Sequence, residues 1–344
     1  MSRFLRACRR EPVDRTPVWF MRQAGRSQPE YRALRERYTL LEICARSDLV
    51  AEVTLRPVEQ LGVDAAILFA DITVPLLGMG VAFELHDGTG PRIHRPVRAQ
   101  ADVAALRPFE PEATIDALLG GVALVRRASP VPLIGFAGAP FTLGSYLIEG
   151  GPSREFLQTK AMMRGSPALW QALMERLTEA TIAYLSRQVA AGVQAVQLFD
   201  SWVGCLSPAD YRASVAPYMR RIFASLRPLG VPAIHFGTGT AGLLREMAEA
   251  GGDVIGVDWR VGLAEAWAQI GDRAIQGNLD PSALLGPSGV VRSQAAAVLA
   301  QAAGRAGHIF NLGHGVLPDT PQDHLHGLVE FVHNYRHEAA EVRA

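Results

Sequence analysis

The amino-acid sequence predicts an α/β protein built as a single (β/α)8 barrel, and three observations support this prediction. Eight short apolar runs recur along the 344 residues, with polar residues or glycine at their ends. Amphipathic segments of helical period lie between these runs. No charge run, Gly/Ser tract or low-complexity segment marks a domain boundary, so we expect one domain over residues 1–344.

The eight runs are apolar at nearly every position, which is typical of parallel strands buried on both faces. The predicted strands cover residues 17–20, 65–71, 131–138, 195–201, 232–236, 254–258, 274–277 and 308–314. Eight strands that alternate with helices favour a closed TIM-type barrel. The alternative is a doubly wound open sheet with a second domain, and the count of eight and the missing linker argue against it.

The clearest predicted helices cover residues 168–190, 211–226, 241–250 and 294–303. One segment does not fit the alternation of strands and helices. Residues 78–98 are polar and rich in glycine, and they contain histidine. We expect this segment to be a loop or hairpin inserted after the second strand, not a separate domain.

Composition and charge exclude several classes of protein. The chain has 34 basic and 34 acidic side chains, is 49% hydrophobic and is 20% charged. These proportions indicate a globular protein with a large core and exclude collagen, coiled coil and disorder. Zero net charge argues against nucleic-acid or membrane-surface binding. No apolar run reaches a membrane span and the N-terminus lacks a secretory pattern, so we expect a cytoplasmic protein.

The cationic and sulfur side chains limit the chemistry further. The sequence has 33 arginines and one lysine, Lys160, and it has no P-loop motif. Any bound anion is therefore expected to be held by arginine. Cys8, Cys44 and Cys205 are widely spaced and odd in number, which indicates neither a disulfide framework nor a cysteine-based zinc site.

The barrel prediction itself selects candidate site residues, because chemistry in this fold lies where strands end and loops begin. The residues selected in this way are Arg22, Arg26, Asp71, Tyr146, Ser201 and His314.

Arg22 and Arg26 belong to the motif MRQAGR directly after the first strand. Residues four apart share a face on a helical turn, and two guanidiniums on one face repel unless an anion lies between them. Arginine also suits bidentate carboxylate binding. Gly25 indicates a backbone that a ligand approaches closely. The alternative is a pair of surface arginines that bind Glu30 or Glu36.

Asp71 ends the apolar run AAILFAD. A carboxylate at the tip of a buried strand is costly unless it is paired or used. It can act as a base or accept hydrogen bonds from ligand N–H groups. The alternatives are a helix cap or a salt bridge with arginine. A metal role is weak, because no cluster of carboxylates and histidines accompanies it at metal-ligand spacing.

A glycine-rich apolar stretch, GFAGAPFTLGSYLIEGG at residues 135–151, suits the wall of a cavity for a large flat ligand. Tyr146 lies in this stretch and is expected to line the cavity. The alternative is that Tyr146 is a half-buried core residue. His314 lies between glycines in NLGHGV, which favours exposure to a ligand over a structural role. We expect His235 and His308, which lie within strands, to be satisfied in the core.

The motif GTGTAG at residues 237–242 matches a dinucleotide fingerprint, and Asp258 follows at the expected distance. A dinucleotide-binding enzyme is therefore a rival hypothesis. Only three predicted strands follow the motif, which is too few for such a domain. In a barrel the same glycines form a tight turn between a strand and its helix.

Long motifs along the chain resemble one family. PVWFMRQAGRSQPEYR at residues 17–32 resembles the N-terminal signature of the uroporphyrinogen decarboxylase family, and GFAGAPFTLGSYLIEGG resembles its second signature. LFAD, FDSWVG and FNLGHGVLP also resemble blocks of that family. The resemblance covers essentially the whole chain, and the first two motifs are long and specific.

The resemblance implies a distorted barrel, a homodimer, and an enzyme with neither metal nor organic cofactor. The implied reaction is stepwise loss of CO2 from the four acetate side chains of uroporphyrinogen III, which gives coproporphyrinogen III for heme synthesis. Asp71 would accept hydrogen bonds from the pyrrole N–H groups, and Arg22 would share the catalytic role. The implied substrate-binding residues are Arg22, Gln23, Ala24, Gly25, Arg26, Asp71, Tyr146, Ser201 and His314, with Arg35 as a weaker candidate.

This reaction is consistent with the residues present. A decarboxylation needs an electron sink, and a pyrrole protonated on a ring carbon supplies its own. Asp71 suits the stabilisation of that cation, whereas arginine is a poor acid and leaves the proton donor open. One rival is a cobamide-dependent methyltransferase with a zinc site of His and Cys, although no cysteine follows His235. The other is a barrel that only binds tetrapyrroles.

Overall fold

A computed structural model describes residues 2–86 and 90–336, and its centre is a curled, parallel, seven-stranded sheet. The strands of the protein are β1 Ala66–Ile67, β2 Phe83–His86, β3 Gly90–Ile93, β4 Leu133–Gly138, β5 Ala195–Asp200, β6 Ala233–Gly237, β7 Val254–Gly256, β8 Ala274–Gln276 and β9 His308–Ile309. The large sheet has the order β1-β4-β5-β6-β7-β8-β9, which is also the chain order. Each strand therefore pairs with the next one through a helical crossover, as in a barrel.

The segment 17–20 joins the two edges of this sheet. Val18 forms an isolated parallel bridge with Phe310, and the Phe310 N–H donates to the Pro17 carbonyl at 2.8 Å. On the other side, the Asp64 N–H donates to the Val18 carbonyl at 2.8 Å. The predicted barrel-like α/β class is therefore confirmed, with a first strand that is reduced to a few bonds.

The remaining strands, β2 and β3, form an antiparallel hairpin outside the large sheet, with Phe83 opposite Ile93. The hairpin lies inside the segment 78–98, where the sequence predicts an inserted loop or hairpin. Residues 87–89 of that segment are outside the described residues. The description of residues 1–344 as a single domain stays a prediction.

The helices surround the sheet. They are α1 Arg3–Cys8, α2 Pro29–Arg35, α3 Leu40–Cys44, α4 Ser47–Leu61, α5 Pro75–Gly78, α6 Gln100–Ala105, α7 Ala113–Ala128, α8 Pro140–Glu149, α9 Leu157–Gly165, α10 Pro167–Ala191, α11 Pro208–Ser214, α12 Ala216–Leu226, α13 Leu244–Ala250, α14 Leu263–Gln269, α15 Ser288–Ala302 and α16 Gln322–Asn334. Within the described ranges, none of these helices combines the length and the apolar character that a membrane crossing requires.

The predicted helix 211–226 is wrong as a single element. The structure ends α11 at Ser214 and begins α12 at Ala216, with a break at Val215. Pro217 explains the break, because proline lacks an N–H and fits only the first turn of a helix. Two other predicted helices begin elsewhere, α13 at Leu244 and α15 at Ser288.

Hydrogen-bonded polar side chains cross the interior of the barrel. The Trp19 indole N–H donates to Gln276 Oε1 at 3.1 Å, and Gln276 Nε2 donates to Gln197 Oε1 at 3.0 Å. All three side chains are fully buried. Buried polar groups of this kind stay only when they are hydrogen-bonded, so these bonds link the closing segment to β8 and β5.

Candidate active site

The carboxyl ends of the strands open into a cleft of about 360 Å³. Its lining includes the side chains that the barrel prediction selected, namely Arg22, Arg26, Asp71, Tyr146, Ser201 and His314. These residues come from five different segments that follow strands, and the parallel sheet brings the starting points of these segments to one edge. Arg35, the weaker candidate, also lies in the lining.

The loop that carries Arg22 is not helical. Residues 21–28 form turns and bends, and α2 begins only at Pro29. The expected common helical face for Arg22 and Arg26 is therefore wrong, although both residues reach the cleft. Arg22 has a φ of 58°, a left-handed conformation that costs energy in a residue other than glycine.

Gly315 makes room for the aliphatic part of Arg22. A Cβ atom built on Gly315 would lie 2.5 Å from Arg22 Cδ and 2.7 Å from its Cγ. A backbone hydrogen bond also joins the two loops, since the Val316 N–H donates to the Met21 carbonyl at 2.9 Å. The loop after the eighth predicted strand therefore sets the position of the first arginine.

Gln23 does not bring its side chain to the cleft. It is fully buried, its Oε1 accepts the Phe20 N–H at 3.0 Å, and its Nε2 donates to the Ala65 carbonyl at 3.1 Å. Both ends of the amide are occupied by backbone groups, so this side chain does not line the cleft, and the role of Gln23 in substrate binding stays a prediction. Ala24 and Gly25 do line the cleft.

Asp71 is held through one oxygen only. Thr73 donates its backbone N–H at 2.9 Å and its hydroxyl at 2.5 Å, both to Asp71 Oδ1. Among residues 2–86 and 90–336, no hydrogen bond reaches Oδ2 and no cation lies within ion-pair distance of the carboxylate. The salt-bridge alternative is therefore absent from this part of the chain. Asp71 faces the cleft with one fixed oxygen and one available oxygen.

Tyr146 enters the cleft from α8, which begins at Pro140 directly after β4. Its ring packs edge-on against Trp202 with centroids 6.0 Å apart. Burial raises the pKa of Tyr146 to about 12; the Asp71 charge adds to the rise, while Trp202 and Arg22 oppose it. The phenol is therefore protonated at neutral pH and serves as a hydrogen-bond donor.

His314 carries no charge at neutral pH. Burial lowers its pKa to about 4; Arg22 and Arg260 lower it further, and Asp258 partly opposes them. A neutral imidazole both donates and accepts one hydrogen bond. His314 therefore offers a neutral polar group beside the positive charge of Arg22.

The floor of the cleft is aromatic, a feature that we did not predict from the sequence. Its phenylalanines are Phe69, Phe136, Phe199 and Phe236. The Phe199 ring meets Phe136 at 5.4 Å and Phe236 at 5.7 Å, both edge-on. A signal was present, because each of four predicted strands carries one phenylalanine close to its carboxyl end. Such a floor suits a flat apolar ring system.

The hairpin adds a wall that was not predicted either. Leu85, His86, Gly90 and Pro91 line one side of the cleft. His86 Nε2 lies 2.9 Å from Glu84 Oε2 on the same hairpin.

The glycines of GTGTAG form a turn already occupied by a carboxylate. Gly239 has a φ of 66°, and its N–H donates to Asp258 Oδ2 at 2.6 Å. Asp258 is buried and is also bound by the Arg260 guanidinium. A phosphate would have to take the place of this carboxylate, so the turn argues against the dinucleotide alternative.

The two strand histidines differ. His308 Nε2 lies 3.0 Å from the Gly277 carbonyl, which agrees with a satisfied core residue. His235 is fully buried, and neither ring nitrogen has a hydrogen-bond partner within the described part of the chain. The expectation for His235 is therefore wrong. Asp200 Oδ2 lies 3.7 Å from His235 Nε2.

Metal-ligating side chains do not gather in the described residues. Over residues 2–86 and 90–336, no group of three or more His, Cys, Asp or Glu side chains is placed to hold an ion. Cys8 and Cys44 are buried in the core, and burial raises the pKa of the Cys44 thiol to about 12. Buried thiols of this kind are inert.

Comparison with known proteins gives consistent matches over the chain. A family model described as uroporphyrinogen decarboxylase matches residues 1–335. A uroporphyrinogen decarboxylase from Thermus thermophilus is 58% identical over 328 residues, covering 95% of this chain and 96% of that protein. One from Sorangium cellulosum is 57% identical over 336 residues, covering 97% and 96%. A solved methyltransferase from Methanosarcina mazei shares the fold, with a TM-score of 0.76 at 22% identity, covering 96% and 97% of the two chains.

Proposed function

The chain belongs to the uroporphyrinogen decarboxylase family, and we propose that its cleft removes CO2 stepwise from the four acetate side chains of uroporphyrinogen III. The product is coproporphyrinogen III, in which each acetate has become a methyl group. The enzyme is a carboxy-lyase of heme and tetrapyrrole biosynthesis. The relatives' names, at more than half identity over nearly the whole chain, support this assignment.

The available oxygen of Asp71 is the observation that supports the chemical mechanism of this proposal. Thr73 holds Oδ1, and no residue within 2–86 and 90–336 donates to Oδ2, so this oxygen can accept a hydrogen bond from a ligand. The pyrrole N–H groups of a tetrapyrrole converge on its centre and are hydrogen-bond donors. A single carboxylate at the edge of an aromatic floor matches that pattern of donors.

The reaction balances without an external electron acceptor. A proton added to a pyrrole ring carbon makes the ring cationic, and the electron pair of the breaking C–CO2 bond moves into the ring. CO2 leaves, a proton is added to the exocyclic carbon to form the methyl group, and the ring releases the first proton. Asp71 stabilises the cationic ring, because a preorganised charge in a dry cleft costs no reorganisation.

The arginines hold the other carboxylates of the substrate. Arg22 and Arg26 line the cleft, and a guanidinium binds a carboxylate through two parallel hydrogen bonds. The protein has no net charge, so the attraction for an anionic substrate must be local to these loops. Ala24 and Gly25 place their small surfaces beside the same ligand.

The three polar groups deeper in the cleft orient the ring by hydrogen bonds. Tyr146 is protonated and His314 is neutral at neutral pH, so neither adds charge to the cationic ring. Ser201 contributes a hydroxyl from the end of β5. Guanidinium groups are poor general acids near neutral pH, so water or a substrate carboxyl group delivers the proton.

We also propose that the protein needs neither metal nor organic cofactor, that it is a homodimer, and that it works in the cytoplasm. The electron sink within the pyrrole supports the first statement, and the resemblance to the family supports the second. Three free cysteines support a reducing compartment. Light scattering after size exclusion tests the dimer, whose mass should be twice 37.1 kDa.

The decisive test is an anaerobic incubation of the purified, metal-free protein with uroporphyrinogen III. The products are then oxidised and separated by their number of carboxyl groups, with Asp71→Ala protein as control. We expect a ladder from eight carboxyls down to four, and no ladder with the variant. An unchanged eight-carboxyl peak from folded wild-type protein would refute the proposal and direct attention to zinc and corrinoid assays.

A further inference from the structure

A second cavity adjoins the cleft on its outer side. This outer groove has a volume of about 850 Å³, and its polar lining includes Arg26, Ser27, Arg32, Arg35, Thr320 and Gln322. Arg26 and Arg35 line both the groove and the cleft, so the two cavities meet at these side chains. A ligand in the cleft can therefore extend into the groove without leaving the arginines.

Buried polar atoms in the groove have no partner. Ser27 is 6% exposed and Thr320 is 3% exposed, and both hydroxyl oxygens are buried without a hydrogen bond within the described residues. The side-chain nitrogen and oxygen of Gln322 are in the same situation. Native proteins rarely leave such groups unsatisfied, because each one costs free energy. Their concentration in one groove indicates a polar occupant.

The charges of the groove indicate the sign of that occupant. Arg32 Nη1 donates to the Arg26 carbonyl at 2.8 Å and to the Ser27 carbonyl at 3.3 Å, which holds its guanidinium against the backbone of this loop. Three arginines line the groove, against two acidic residues, Glu36 and Asp319. Arginine, the side chain best suited to carboxylates, therefore outnumbers the acidic residues in this lining.

The start of α16 adds to this field. Gln322 is the first residue of this 13-residue helix, and Pro321 at the N-cap provides no side-chain hydrogen bond. The first N–H groups of a helix lack partners within the helix and attract anions. Asp323 in the first turn offsets part of this effect. The Thr320 hydroxyl, buried and without a partner among the described residues, lies two residues before the start of the helix.

We propose that the outer groove is a second carboxylate site, which holds a propionate of the tetrapyrrole while another ring reacts at Asp71. This inference rests on the proposed function. Four decarboxylations require four presentations of a substrate with eight carboxylates, and the cleft of about 360 Å³ lies at the small end of ligand pockets. Rings that do not react must extend beyond it. Arg26 and Arg35 line both cavities, so a ring that extends past them out of the cleft enters the groove.

The test compares variants of the groove with matched variants elsewhere. Thr320→Val and Ser27→Ala remove hydroxyls that bind no described residue, and Arg32→Gln removes the charge. Thr178→Val, another buried hydroxyl without a partner, and Arg187→Gln, an exposed arginine on α10, are the controls. The readouts are the KM of the seven-carboxyl intermediate and the distribution of intermediates at half conversion.

We expect all three groove variants to accumulate intermediates with seven, six and five carboxyls. Their KM should rise about threefold to tenfold, the loss typical of one hydrogen bond, while both control variants behave as wild type. A change in Arg32→Gln alone would overturn the proposal, because it would reflect the bonds of Arg32 to the loop. Wild-type distributions in all groove variants would also overturn it.

Two further outcomes separate this inference from the proposed function. Wild-type protein that produces no ladder would refute the proposed function and with it the tetrapyrrole as occupant. Inorganic phosphate is the probe for a free anion. Phosphate that raises the melting temperature of wild type but not of Arg32→Gln would show that the groove binds a free anion. If the distribution of intermediates is also unchanged in the groove variants, the propionate site is refuted while the proposed function stands.

Discussion

Asp71 and Asp258 end similar strands but meet different surroundings. Each follows an apolar run, AAILFAD for the first and VIGVD for the second. Asp258 is 1% exposed, and its two oxygens accept the Gly239 and Arg260 N–H groups and the Arg260 guanidinium. Asp71 is only half-buried, and within the described residues Thr73 is its sole donor, on one oxygen.

An aspartate at a strand end is therefore not by itself a site. A buried carboxylate whose oxygens are all occupied joins loops and has no capacity left for a ligand. A carboxylate held through one oxygen is oriented and can still accept hydrogen bonds from a ligand through the other oxygen. The two largest effects are therefore expected from replacing these aspartates one at a time. The Asp71 variant should lose activity, and the Asp258 variant should lose stability.

Asp71→Asn should have the largest effect. It keeps the size of the side chain and removes the charge, so we expect kcat to fall about 10²–10³-fold, as for the loss of one preorganised catalytic group. The melting temperature should stay close to that of wild type, because no described ion pair is lost. Single-turnover conversion of uroporphyrinogen III measures the first effect and thermal unfolding the second. A wild-type rate would remove Asp71 from the mechanism.

Asp258→Asn should show the opposite pattern. The variant loses a charge-assisted bond to Arg260 and weakens the bond to the Gly239 N–H, so the free energy of unfolding should fall by about 1–3 kcal/mol. Urea denaturation gives this value. Activity per folded molecule should change far less than in Asp71→Asn. Equal losses of activity in both variants would contradict the distinction between the two aspartates.

Gly315→Ala tests the position of Arg22 in the cleft. The new methyl group would overlap the stem of Arg22, so the guanidinium must move and KM should rise about tenfold. Gly327→Ala, in α16 with open space around it, is the matched control and should be neutral. An unchanged KM in Gly315→Ala would show that the position of Arg22 does not matter for binding.

The smallest predicted effect is a change in the pKa of His314, which depends on charges at both places, Arg22 in the cleft and Asp258 beside it. Arg22 lowers its pKa and Asp258 raises it. Titration by NMR should give a pKa of about 4 in wild type, a higher value in Arg22→Gln and a lower one in Asp258→Asn. A shift in the opposite direction in either variant would contradict the assigned charges.

Stability should depend on the same group. The folded pKa of His314 lies below the ordinary value of 6.5, so the unfolded chain takes up a proton first as the pH falls. The contribution of His314 to stability is therefore present above pH 6.5 and is lost between pH 6.5 and about 4. His314→Gln should flatten this part of the curve of unfolding free energy against pH.

Much of the fold could be predicted, because strand–helix alternation and buried parallel strands leave a plain signal in sequence. The strands around β4, β5 and β6 lie where the apolar runs indicate. The prediction failed where local and tertiary effects compete. Pro217 divides the predicted helix 211–226, and the run 308–314 pairs in a strand only over His308–Ile309.

The candidate site was predictable in its members but not in its geometry. The end-of-strand rule selects Arg22, Asp71 and His314, and the structure places all three in one cleft. The left-handed backbone of Arg22 and the inward amide of Gln23 depend on contacts with residues 315 and 65, which no local pattern encodes. Their roles in catalysis and binding stay predictions.

The alternation of strands and helices, the scarcity of lysine and the polar residues at the strand ends are all readable from the amino-acid order. These features depend on neighbours in the chain, through periodicity and the limits of proline and glycine. Packing of the barrel sets two further features, namely which carboxylate stays available and where a second groove joins the cleft. Both depend on partners far apart in sequence, such as Gly239 with Asp258 and Ser27 with Thr320, which only the closed barrel brings together.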